Sequence, residues 1–200
     1  DIAKLSSTVV AGLTTTQVQA LTPDQVAALS VAQFGALSAA QIAKLGTTQI
    51  QALTTSQMQA LTATQAGGLS STQIQNLEAA DLAKLSTAVI SSLTTAQLGG
   101  LSAAQMPDLT TSQAQAFTAA QVASMSTSQL AGMELGDLAK ISTNAISGLT
   151  TTQMAALTGD QIAALTTSQF SKLSGEQVGK IATGQIQSLT TDQAAGLTAT

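Results

Sequence analysis

Apolar and polar positions alternate along this chain with a fixed period of eight. Stepping by eight from Leu5 to Leu197 gives 25 apolar residues, 20 of them leucine, with no slip in register. The others are Phe117, Met125, Met133, Ile141 and Ile181. With that residue as position 1, position 6 is Val, Ile, Leu, Met or Phe in most octads, as in Leu13-Thr-Thr-Thr-Gln-Val-Gln-Ala. Positions 1 and 6 differ in parity, so a strand would point them to opposite faces. A continuous helix advancing about 100° per residue would rotate successive leucines by roughly 80° per octad and make no stripe. Each octad must therefore contain a break.

The break has a chemical signature. Position 2 is Ser or Thr in 21 of 25 octads, the exceptions being Gly46, Glu78, Glu134 and Ala182. Position 5 is Gln in 19 of the 24 octads that reach it. Ser/Thr-x-x-Gln is a capping box, in which the hydroxyl accepts from the N3 amide and the Gln side chain accepts from the N-cap amide. Positions 1 and 6 then form the hydrophobic staple, and the next leucine lies three residues beyond position 6 on the same face. The pattern predicts one short helix per octad.

Charge placement agrees. All six basic residues are lysines at position 8 (Lys4, Lys44, Lys84, Lys140, Lys172 and Lys180), in the last turn. Nine of the ten acids lie at positions 2, 4 or 5, and only Asp108 falls elsewhere, an arrangement the helix dipole favours at both ends. Pro23 occupies position 3, the N1 site that tolerates proline, while Pro107 at position 7 interrupts its octad. Ten of the 15 glycines sit at positions 7 and 8, where the helices are expected to stop and turn.

Two-turn helices do not persist alone in water. The expected fold is all-α: a solenoid of very short capped helices in which neighbouring octads stack and bury positions 1 and 6. Residues 1–200 read as one continuous array of about 25 octads, a segment of a longer chain.

The 200 residues contain no Cys, His, Trp, Tyr or Arg, and only 8 % are charged. This composition excludes zinc fingers, His-based triads and cysteine nucleophiles. Six lysines and a net charge of -4 argue against nucleic acid as a partner. No apolar run approaches the roughly 20 residues of a membrane span, so no membrane insertion is expected.

Three octads carry Asp in place of Gln, giving Asp1-Ile2-Ala3-Lys4, Asp81-Leu82-Ala83-Lys84 and Asp137-Leu138-Ala139-Lys140. The octads that follow have Val9, Val89 and Ala145 at position 5, and Glu78 and Glu134 replace the usual hydroxyl caps of the Asp81 and Asp137 octads themselves. One or two carboxylates are too few for a calcium cage, so the expectation is an alternative cap with an exposed Asp–Lys pair. Ser–Lys chemistry is disfavoured, since position 2 hydroxyls are engaged as caps and position 8 lysines should be solvated. The interrupted threonine rows are a weak match to an ice-binding face. No residue is assigned as catalytic, cofactor-binding or metal-ligating, no cofactor is expected, and the chain is read as a non-enzyme.

Leu21-Thr-Pro-Asp-Gln-Val resembles the opening of a TAL-effector repeat over one octad, without the 34-residue spacing or the basic character. The run Leu-Thr-Thr-x-Gln-Ile/Val-x-Ala resembles, over the whole chain, the octapeptide arrays of very large bacterial secreted or surface proteins. Such proteins are labelled adhesin-like, RTX-like or haem-utilisation. No calcium-binding Gly-Gly-x-Gly-x-Asp nonapeptide occurs here, and there is no His or Tyr to ligate haem. The resemblance implies a structural stalk or spacer outside a bacterial cell, or alternatively a self-assembling subunit of an extracellular filament or sheath. Its partners would be neighbouring repeats, copies of itself or other cell-surface components. The absence of cysteine agrees with a secreted chain.

Overall fold

The computed structural model describes residues 2–197, with side chains to residue 195. Asp1, Thr200 and the side chain of Leu197, all included in the octad register, lie outside the described residues. Within them the chain is entirely helical, one short helix per octad, with α-helices of four to seven residues. It forms two compact units, Asp1–Leu101 and Ser102–Thr200.

The local cause of each helix is the cap. Thr54 illustrates it: its backbone is extended (φ -83°, ψ 153°), and its hydroxyl accepts from the Gln57 amide at 3.3 Å. Gln57 Oε1 in turn accepts from the Thr54 amide at 2.8 Å. Gly46 and Ala182 have no cap hydroxyl, yet Gln49 and Gln185 still accept from their amides, at 2.6 and 2.5 Å. The helices end in ordinary right-handed or extended residues, and among the described residues no glycine has positive φ. Left-handed glycine caps are therefore not what stops them. Each stops because the next Ser or Thr cap redirects the backbone.

Glycine serves a different purpose at position 8. A Cβ built on Gly68 or Gly100 would collide with the carbonyl of Ala39 or Ser71, respectively. In the second unit, Gly132 and Gly148 meet Ala103 and Ala119 in the same way. These glycines let one stretch of backbone lie against another 29 residues earlier.

That offset corrects the expected packing. In the first unit, helix Ser7–Ala11 packs against Val31–Gly35, Thr15–Gln19 against Ala39–Ile42, and Pro23–Ala27 against Thr47–Gln51. In the second, Ala119–Ser124 packs against Thr143–Ile146, and Leu135–Leu138 against Gly159–Ala164. Each helix thus lies beside the one three octads on, because the extended cap residues turn consecutive helices away from each other. Helices shorter than two full turns cannot stack side by side with their immediate neighbours through such a bend. They meet after the chain has wound once round.

The apolar positions face the inside of this coil. Position 6 is nearly inaccessible, as at Phe34, Ile50, Ile90, Leu138 and Phe170, and position 1 is buried from Leu29 onward through Ile181. Each fully buried side chain of this size contributes about 1.5–3 kcal/mol. Pro107 costs little: Ala103–Asp108 becomes a 3-10 helix, which still buries Met106 and packs against Thr127–Gly132.

Candidate functional site

The most elaborate chemistry in the chain is a ladder of buried glutamines at position 5. Gln57, Gln113 and Gln169 are each only 1 % exposed. A capping-box glutamine needs only its oxygen, and that leaves an NH2 group seeking acceptors. The second partner lies 28 to 31 residues earlier. Gln57 Nε2 donates to the carbonyls of Val26 and Leu29, at 2.9 and 2.8 Å. Gln73 does the same to Ile42 and Leu45, at 2.9 and 2.8 Å. In the second unit, Gln153 reaches Val122 and Met125 at 2.8 and 2.7 Å, and Gln169 reaches Leu138 and Ile141 at 2.9 and 2.7 Å. Gln177 and Gln185 donate to Leu149 and Leu157.

One amide therefore does two jobs. Its oxygen starts its own helix, and its nitrogen ties that helix to the preceding turn of the coil. The acceptors are the carbonyls at positions 6 and 1, where the backbone leaves one helix and enters the next; the position 6 carbonyl also takes the amide of the following position 1 residue, as Val26 O does from Leu29 at 3.2 Å. Among the described residues no buried side-chain nitrogen or oxygen lacks a hydrogen-bond partner. Each such bond is worth about 1 kcal/mol net, and an unmade one costs more. Gln17 and Gln25 make the cap but no link to an earlier turn, and they are correspondingly more exposed.

Sequence reasoning assigned this glutamine the capping role alone. A signal for the second role was present. A capping box accepts Glu as readily as Gln, and the helix dipole favours Glu, yet no Glu stands at position 5. A site that excludes Glu requires the amide's donors.

The variant octads fall in this same seam. Asp81 and Asp137 are buried, 4 % and 3 % exposed, while Lys84 and Lys140 are exposed. At Asp81 and Lys84, and at Asp137 and Lys140, the expected surface pair is therefore not formed: position 5 faces inward and position 8 outward. Burial raises the pKa of both aspartates above the ordinary carboxylate value, and Glu78 and Glu134 beside them raise it further. Neither Glu caps its helix through a side-chain hydrogen bond. Val89 and Ala145, which follow, are fully enclosed apolar side chains where a glutamine would stand. Each Asp octad and its successor make a two-rung gap in the ladder.

Among the described residues no group of three or more Asp, Glu, His or Cys converges, and no pocket opens on the surface. The position 8 lysines are exposed, and the position 2 hydroxyls of Ser and Thr accept helix amides, except that of Ser102, which donates to Gln105 Oε1 at 3.1 Å. Among the described residues, no helix is long and apolar enough to cross a membrane.

Comparison with curated proteins yields no match. The ALTTAQ repeat family matches residues 1–31, 31–63, 74–111 and 130–167. Its six letters run from position 8 of one octad to position 5 of the next, as in Ser92-Leu-Thr-Thr-Ala-Gln97. The stretch that gives the family its name is the N-terminal cap together with the glutamine that closes the coil. With more than half its residues matched, this chain is a repeat region belonging to the ALTTAQ repeat family.

Proposed function

We propose that this repeat region is a non-catalytic stalk or spacer in a large bacterial extracellular or cell-surface protein. The observation that carries the reading is the ladder. Most position 2 hydroxyls and most of the inward-facing glutamines are engaged in starting helices or in fastening one turn of coil to the next. Most octads supply the same two connections, so the array can be lengthened or shortened in whole units while keeping its inner face. Such a region serves reach: it holds whatever lies beyond it at a set distance.

The test is to tag the parent protein in its native host and delete residues 29–60, four whole octads. Shorter surface fibres, with the remaining array still helical by circular dichroism, are expected. A strictly cytosolic location, or a turnover activity retained by this segment alone, would overturn the reading.

A further inference from the structure

The two gaps in the ladder stand at corresponding places in variant octads, and both place a carboxyl group where the glutamine rungs place a hydrogen-bond donor. In the register of the neighbouring rungs, Asp81 sits opposite the carbonyls of Ile50 and Leu53, and Asp137 opposite those of Met106 and Leu109. An ionised carboxylate can only accept, so it meets those carbonyl oxygens with like partial charge; a protonated carboxyl is neutral and carries a donor. The next rung offers no relief, since Val89 and Ala145 have no polar atoms in their side chains.

We propose that Asp81 and Asp137 are proton-operated joints, at which successive turns of coil close when the carboxyl is protonated and loosen when it is ionised. The electrostatic surroundings are simple. Helix Ala79–Leu82 packs against Thr55–Ala60, which carries no titratable side chain. Helix Leu135–Leu138 packs against Thr111–Gln115, which carries none, and Gly159–Ala164, whose only titratable group is the exposed Asp160. The flanking charges are the exposed Glu78 and Lys84 at one joint, and the exposed Glu134 and Lys140 at the other, where the half-buried Asp108 also adjoins Leu109. The remaining exposure of each aspartate, a few per cent, suffices for proton exchange with solvent.

The sign follows from linkage. The folded coil holds both protons more tightly than the unfolded chain does. The stabilisation is therefore full below the ordinary aspartate range and is lost as pH rises through the elevated value. Glutamine at these positions would restore the amide link and remove the titration.

The experiment is thermal unfolding of the full chain at intervals from pH 4 to pH 8, for the wild type and for Asp81→Gln/Asp137→Gln. The expected result is that the wild-type melting temperature falls by several degrees toward pH 8. The double variant should melt higher than wild type at pH 8 and lose less across the range. Identical pH profiles, or a variant no more stable at pH 8, would overturn the proposal. Should the variant not fold, carbon-13 carboxyl titration of the folded wild type by NMR tests the proposal independently. Asp81 and Asp137 titrating above about 3.9, the unperturbed aspartate value, support it, and titration at or below that value overturns it.

Discussion

The rungs Gln57, Gln65 and Gln73 and the two that follow them, Asp81 and Val89, lie on the same inner seam of the first unit. At the glutamines, cap and clamp come from one side chain: Gln65 accepts from the Thr62 amide at 3.0 Å and donates to Leu37 O at 2.9 Å. At Val89 the clamp is gone, yet Ser86 still caps the Val89 amide at 3.2 Å. Val89 and Ile90 remain at 0 % exposure. Starting a helix and fastening it to the coil are therefore separable. The hydroxyl and the apolar face suffice to place a helix, whereas the amide determines how firmly one turn holds the next.

The comparison can be broken most forcefully through the apolar face both regions share. Leu61→Asp buries an unpaired carboxylate at a position 4 % exposed and should cost about 3–5 kcal/mol in urea unfolding. A loss comparable to that of a surface substitution would refute the assigned inner face. Gln57→Glu separates clamp from cap. The cap acceptor survives while the donor to Val26 and Leu29 is replaced by a charge, so a loss of about 3 kcal/mol is expected at pH 7. The loss should shrink in acid as the carboxyl protonates, and a pH-independent effect would show that the amide's donors carry nothing.

Thr54→Ala removes only the hydroxyl of the cap and should cost about 1 kcal/mol by the same assay, leaving the coil wound. Thr55→Ser, at the exposed position beside it, should change stability by less than about 0.5 kcal/mol. Should Thr55→Ser match Thr54→Ala in cost, the register of the caps would be wrong by one residue.

The octad, its caps and the burial of positions 1 and 6 were legible in the sequence because they are local. Thr54, Gln57 and Met58 lie within one turn of each other, and their residue types state their geometry. The partner of a helix three octads on was not legible. It depends on the angle each extended cap residue imposes, a few degrees of backbone at Thr54 or Ser70 that many residue types share. The third inward position was half-written: Val89 and Ala145 in place of glutamine marked it as interior, and the exclusion of Glu marked it as needing donors. The small residues at positions 7 and 8 were legible both as helix ends and as places where backbones approach closely, and the close approach is what Gly100 makes against Ser71.

The clamps have a direction. Wherever a glutamine links two turns within a unit, its nitrogen reaches back to residues 28 to 31 places earlier, as Gln41 does to Leu13 and Gln193 to Leu165. A chain emerging amino end first, from a ribosome or through a narrow export channel, thus finds each acceptor already laid down when its donor appears. Winding can keep pace with emergence, one octad at a time, and no rung within a unit waits for a distant carboxyl-terminal segment. For a very long array, the hazard of folding then depends on the thirty or so residues behind the growing end rather than on total length.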